Sequence, residues 1–324
     1  MKKMYFIALF LLVGFICQSV AQAAGFPEKP LRIIVARQAG GSADMVARMF
    51  APFLGKAIGQ NVVVENVAGG SGRIGLSQAF RANPDGYTLI LVNLPSYILT
   101  QDIEGGVDYV ISEFEPIVGI SGNEGNVLIV PGDSPFNSIK DIMDAEAKNP
   151  GTFNIGITSG LSNSSLAHAF LLQETKIDPV SIPYDDGNAV VTAVMGKHVD
   201  FAICSDVASY QPAKSGAIKV LCTFASKADH NLPNVPTFAS LYGGEFAYDV
   251  NMGILGTPGI PADVLKIIRD AANKAVNDPE FKKTVGQSFS VVPATAEELE
   301  KSIESHYRLS EKSRELLTEL LENN

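Results

Sequence analysis

Residues 31–59 read LRIIVARQAGGSADMVARMFAPFLGKAIG, and the order of features in this stretch decides the fold class. Leu31–Ala36 is an almost unbroken apolar run of the length of a buried strand. It empties into a polar turn carrying the paired glycines Gly40 and Gly41. Val46, Met49, Phe50, Phe53, Leu54, Ala57 and Ile58 then recur at the i, i+3, i+4 spacing of one helical face, and Gly59 closes the helix. A strand that feeds a helix through a glycine turn is the opening of a βαβ unit, and such units build parallel sheets with crossover helices.

The rhythm continues outward from this stretch. Strand Val62–Glu65, the glycine-rich turn Gly69–Gly75, a short helix to about Ala82, the turn Pro84-Asp85-Gly86 and strand Tyr87–Val92 make a second cycle. It restarts with strand Val127–Val130, helix Ile139–Ala147, strand Phe153–Ile157, a hydroxyl-rich turn and helix Ser164–Glu174. Strands Val180–Pro183, Val199–Cys204 and Ile218–Phe224 follow, with a helix from Asn188 to Met195 between the first two. After a proline-rich passage, strand Tyr248–Leu255, helix Pro261–Asn277, strand Phe289–Val292 and helix Ala296–Leu321 close the chain. About 300 residues exceed what one core usually serves, so two α/β domains are expected. Alternation alone is also compatible with two successive domains, but a closing helix about 300 residues from its partner sheet suggests a first domain that is discontinuous, 24–125 plus 251–324, with 126–250 as the second, so that the chain crosses twice between them.

The N-terminus is a basic tip, Met1-Lys2-Lys3, an apolar run to Cys17 and the small-residue site Ala21-Gln22-Ala23, the pattern of a secretory signal cut after Ala23. The run is too short to span a bilayer, which takes about 20 apolar residues. The formal charge of −10 falls to −12 once Lys2 and Lys3 are removed, and no basic stripe exists for nucleic acid. Trp is absent, which excludes stacking of that residue on sugars. Of the three cysteines, Cys204 and Cys222 survive removal of the leader, and an exported chain allows either a disulfide between them or two buried thiols.

Candidate chemistry lies in the turns. In Arg37-Gln38-Ala39-Gly40-Gly41-Ser42-Ala43-Asp44 a strand gives way to a helix start, whose unpaired N–H groups and partial positive charge suit an anion. Arg37 can hold a carboxylate in bidentate geometry or stand as a surface charge; Asp44 can cap the helix or accept a hydrogen bond from a ligand. Thr158-Ser159-Gly160-Leu161-Ser162-Asn163-Ser164-Ser165 is a second polar helix start, in the other domain, and the two can grip an oxyanion from both sides. Asn93 and Ser205, at strand ends, complete the set. Gly70-Ser71-Gly72-Arg73-Ile74-Gly75 matches G-x-G-x-x-G, but the following strand ends in Asn93, with no acid for a ribose, so it reads as a tight turn without a dinucleotide cofactor. Neither G-x-S-x-G, H-E-x-x-H, G-K-[ST] after a glycine loop, nor a Cys/His cluster at metal spacing occurs.

These residues resemble the periplasmic solute receptors of tripartite tricarboxylate transporters, the Bug family. The resemblance is carried by Pro30–Val35, Ala39-Gly40-Gly41 with Asp44, Val46-Ala47-Arg48, Val62–Asn66, Pro84–Leu89, Pro183-Tyr184, Gly196 with Val199-Asp200, and Pro233–Thr237, in order along the chain. It implies an α/β type II periplasmic-binding fold, two domains with mainly parallel sheets joined by two crossing strands around a cleft. It also implies a ligand carboxylate held by Ala39, Gly40, Gly41, Asp44, Gly160, the Ser162–Ser165 run and Tyr184. The chain departs from the family pattern at Arg37-Gln38, where Pro-Phe is usual, at Leu166-Ala167, where a His is usual, at Cys204-Ser205, near which an Asp-Asn pair is common, and at Asp185-Asp186, where Lys-Gly is common. The expectation is an exported, monomeric, cofactor-free binding protein that delivers a small carboxylate solute to membrane transporter subunits. An exported hydrolase or lyase, or a sensor accessory of a signalling kinase, are the rival classes.

Overall fold

The computed structural model describes residues 25–322 except 230 and 288, so the expected leader and its cut after Ala23 lie outside the described residues. Strand β1 (Leu31–Val35) pairs in parallel with β2 (Val62–Asn66) on one side and β3 (Thr88–Leu94) on the other. Its residues alternate between two cores. Leu31, Ile33 and Val35 pack with Val46, Phe50 and Leu54 of helix α1 (Ser42–Ile58), whereas Ile34 joins Leu76 of α2 (Arg73–Phe80) and Ile90 of β3. A strand covered on both faces is apolar nearly throughout, which is why Leu31–Ala36 shows no period of two and only the half-exposed Arg32, paired with Glu65, interrupts it. Phe50 and Leu54 are fully buried, each contributing about 1.5–3 kcal/mol of transfer free energy.

Strand β4 (Glu115–Glu124) leads almost directly into β5 (Asn126–Pro131), and these two belong to different sheets. The second sheet holds β6 (Asn154–Thr158), β7 (Val180–Tyr184), β8 (Phe201–Ser205) and β9 (Ile218–Thr223) in the order β7-β6-β8-β5-β9. The chain then returns through β10 (Val250–Gly256) and β11 (Val291–Ala294), giving the first sheet the order β11-β4-β10-β3-β1-β2. Both sheets share one plan. Three parallel strands are followed by a reversed strand, β10 in one and β5 in the other, and then by a further strand antiparallel to it. β5 and β10 follow the two passages between sheets, at 124–126 and 224–249, so each sheet is completed by a strand that arrives from the other.

Helices α4 (Ile139–Glu146), α5 (Asn163–Thr175), α6 (Gly187–Met195) and α7 (Asp206–Lys214) surround the second sheet, after the short α3 (Ser96–Leu99) of the first. Helix α8 (Phe238–Tyr242) lies in the returning passage. Helices α9 (Ala262–Asn277), α10 (Pro279–Val285) and α11 (Ala296–Glu322) close the chain. α11 spans both halves. Leu299 and Ile303 pack with the first sheet, while Leu317 lies in the cluster around Leu128, Phe170 and Phe201 of the second.

The two cysteines are not bridged. Cys204 sits opposite Val127 and Cys222 opposite Leu128, so β5 runs between them, and consecutive β5 residues face opposite sides of the sheet. Two strand spacings of about 4.8 Å exceed the Cα separation of about 7 Å that a disulfide tolerates. Both are buried free thiols, in separate cores, and burial pushes each thiol well above its ordinary range, Cys222 to about 12. A bridge between Cys204 and Cys222 is therefore excluded.

Candidate functional site

The turns at the carboxyl ends of β1, β2, β3, β6, β7 and β8 open into one cleft of ≈ 800 Å³ between the two halves. Ligands of open α/β sheets bind at such strand ends because helix starts converge there. Here residues of the first turns of α1 (Ser42, Ala43), α5 (Asn163, Ser164), α6 (Gly187, Asn188) and α7 (Val207, Ala208) all line the cavity. The four starts are not equivalent. Ser162, Asp186 and Ser205 cap α5, α6 and α7 with their own side chains, but Gly41 stands at the start of α1 and offers none. The 17-residue α1 thus presents uncapped amides and the positive end of its dipole to the cleft.

Arg37 lies beside that start. Its guanidinium donates to Ser96 Oγ at 3.2 Å and sits 5.1 Å from the centre of the Tyr97 ring. Ser96 Oγ in turn donates to the Asn93 carbonyl at 3.0 Å, so the arginine is held before any ligand arrives. Across the cleft, Asn163 Nδ2 donates to Asn93 Oδ1 at 2.9 Å, and the Leu161 amide donates to Glu104 Oε1 at 3.3 Å. Glu104 also pairs with Arg73, at the start of α2. The Tyr248 hydroxyl, in the second passage between sheets, lies 2.5 Å from the Asn163 carbonyl and 2.7 Å from Asn126 Oδ1. The Asn163–Asn93 and Leu161–Glu104 bonds join the two halves.

Of the residues singled out from sequence, Arg37, Gln38, Gly41, Ser42, Asn93, Ser159, Ser162, Asn163, Ser164 and Ser205 line the cavity. Ala39, Gly40, Asp44, Gly160, Ser165 and Tyr184 are not among its lining residues. Asp44 is 3% exposed and turned into the protein, where its carboxylate accepts from the Gly40 amide at 2.9 Å, from Arg48 at 3.0 Å and from Asn66 at 2.9 Å. Burial opposes its charge, but these three partners outweigh burial and hold the carboxyl below its ordinary value. Asp44 therefore shapes the first turn from behind. Ser165 donates to the Gly160 carbonyl at 2.7 Å, and Ser162 Oγ lies 2.9 Å and 3.0 Å from Ser164 and Ser165 Oγ, so most of the serine run is spent on its own turn. Tyr184 packs its ring with the Val190 and Val194 core, and its carbonyl holds the Ser159 amide at 2.8 Å.

Several lining residues escaped the sequence. Gly69–Gly72 form part of the wall, although Gly75 of the same motif is a packing residue: a Cβ there would stand 2.7 Å from Ala36 Cβ and from the Val67 carbonyl. Asp185 and Asp186, singled out from sequence only as a departure from the family pattern, line the far side with Val191, Met195 and Tyr210, which were not singled out. Their signal was positional, since they stand at or beyond the ends of β7 and β8. Behind that wall the Gly125 amide donates to Asp206 Oδ2 at 2.9 Å, at the first passage between sheets. Burial pushes Asp206 up to about 7, with Asp229 adding to the rise, and Glu124 is likewise raised by burial and by Asp206. Among the described residues no cluster of His, Cys, Asp and Glu is arranged to hold a metal ion, and no helix is long and apolar enough to cross a membrane.

A sequence profile of the tripartite tricarboxylate transporter family receptor matches residues 46–319. The chain belongs to that receptor family. The receptor is 28% identical over 274 residues to the UPF0065 protein in the gbd 5' region of Cupriavidus necator, which covers 84% of this chain and 82% of the relative. It is 26% identical over 291 residues to protein BugT of Bordetella pertussis, covering 89% and 87%. Among solved structures, periplasmic binding protein BugD superposes with a TM-score of 0.79 at 26% identity, covering 90% of this chain and 98% of BugD. MatC from Rhodopseudomonas palustris, with bound malate, superposes with a TM-score of 0.79 at 20% identity, covering 90% and 100%. The receptor thus has the two-domain α/β architecture of type II periplasmic-binding proteins.

Proposed function

We propose that this receptor captures a small carboxylate-bearing solute in the periplasm and hands it to the membrane subunits of a tripartite transporter. The observation that supports it most is the convergence on one cleft of the uncapped start of α1, the fixed Arg37 and the hydroxyl-rich start of α5. Amides, guanidinium and hydroxyls there are donors, and an oxyanion is the ligand that uses them together. Gln38, Gly41, Ser42 and Asn93 stand on one side of the solute and Ser159, Ser162, Asn163, Ser164 and Ser205 on the other. Ala39, Gly40, Asp44, Gly160, Ser165 and Tyr184 set the shape of the turns.

The lobes of this reading are residues 24–125 with 251–324, and residues 126–250, closing about the passages at 124–126 and 224–249. The leader is removed after Ala23, the working form is a monomer, and the solute leaves unchanged. Affinity comes from desolvating charge-assisted hydrogen bonds as the lobes close. A thermal-shift screen of the mature protein over mono-, di- and tricarboxylates, amino acids and aromatic acids tests it, since a ligand of the native state raises the melting point. At least one carboxylate is expected to raise it in a saturable way. A panel in which sugars or cations shift the protein and no carboxylate does would overturn the assignment.

A further inference from the structure

We propose that the solute selected by this cleft is a zwitterion, a monocarboxylate that also carries a cationic nitrogen. The inference rests on the carboxylate reading above and narrows it. It starts from the charges on the cavity wall, which among the described residues are Arg37 on one side and Asp185 and Asp186 on the other. Carboxylates outnumber cations. A second anionic group brought out of water requires compensation of its own, and beyond Arg37 the wall offers it only amides and hydroxyls.

The charges are also separated. Arg37 and the bare start of α1 make a cationic pole at the end of β1. Asp185 and Asp186 lie in the turn between β7 and α6, in the other half of the molecule. Asp186 spends one oxygen on the cap of α6, accepting from the Ala189 amide at 2.9 Å. Asp185 is exposed in the cavity and pairs with no cation among the described residues. The wall also carries Met45, Val191, Met195 and Pro212, which cannot pair with charge and suit the aliphatic part of a solute. A solute with its carboxylate toward Arg37 and its nitrogen toward Asp185 meets complementary groups at both ends. A second carboxylate in place of the nitrogen would face two like charges.

The test is isothermal titration of the mature protein with four probes of similar size: leucine for an α-amino acid, 5-aminopentanoate for an ω-amino acid, pentanoate for the bare carboxylate and glutarate for the diacid. The same four-way comparison is made around any compound found in the carboxylate screen. One of the zwitterions is expected to bind at least tenfold tighter than pentanoate and glutarate. In the Asp185→Asn, Asp186→Asn double variant, whose second substitution keeps a side-chain oxygen able to cap α6, that preference should shrink to within about threefold. Tighter binding of glutarate or pentanoate than of both zwitterions, or an undiminished preference in the variant, would overturn the proposal while leaving the receptor reading in place. Failure of every carboxylate would remove both.

Discussion

His168 offers a test of the fold that can be worked through to a number. It lies in the middle of α5, 0% exposed, and neither ring nitrogen meets a partner among the described residues. Burial pushes its imidazole down from an ordinary 6.5 to about 4, so the ring stays neutral in the folded chain. Between those values the unfolded chain takes up a proton that the folded one refuses, and stability falls as pH falls, by about 1.4 kcal/mol for each unit. From pH 7 to pH 5 the loss from this one residue is about 2 kcal/mol. Asp206 acts in the opposite sense: raised by burial to about 7, it weakens the fold as pH climbs from its unfolded value toward 7 and restores stability on acidification. The wild-type curve mixes these with other buried groups, Glu124 and His306 among them, but its difference from His168→Leu isolates the histidine. Leu removes both orphaned nitrogens at similar volume, so the variant should be at least as stable at pH 7, by up to about 3 kcal/mol. Urea unfolding followed by circular dichroism at pH 7, 6 and 5 should show its advantage widening by about 2 kcal/mol. Parallel curves would mean that His168 is hydrated or paired, and the reasoning would be wrong.

Other consequences are as direct. Arg37→Ala should weaken a bound carboxylate by roughly 10- to 100-fold, the value of a charge-assisted hydrogen bond of about 1.5–3 kcal/mol, with calorimetry as the readout; an unchanged affinity would place the guanidinium outside the site. Asp44→Ala should lower the melting point by several degrees, since it strands the Gly40 amide, Arg48 and Asn66, and should lower affinity less than Arg37→Ala does. Titration of thiols in denaturant should find two per mature chain without prior reduction, and none would indicate a bridge that the strand order forbids.

Much of the architecture was legible because buried parallel strands and amphipathic helices write different periods, as Leu31–Ala36 and Val46–Ile58 show. The strand Glu115–Glu124 was not legible. Its Pro116, Gly119 and Gly122 look like breakers, yet a Cβ at Gly119 would stand 2.7 Å from Ala294 Cβ, so this glycine is required by close approach of β11. Helix α7 was hidden by Ser209 and Pro212 and by having no long apolar face. The cysteine pair was undecidable until strand order was known, because spacing along the chain says nothing of which strand lies between. At the site, the turns were found from glycines and hydroxyls at strand ends, but which side of each turn faces the cleft depends on topology. That is why Asp44, Ser165 and Tyr184 turned out to support the turns, while Gly69–Gly72 and Asp185, read as a tight turn and a departure from family pattern, line the wall.

The grip from both lobes is tested most directly by amide chemical shifts of the isotope-labelled mature protein titrated with a carboxylate found in the screen. Resonances of Ser42 and Ala43 at the start of α1 and of Asn163 and Ser164 at the start of α5 should move together along one binding curve. Shifts confined to one helix start, or to residues outside the cleft, would contradict the account.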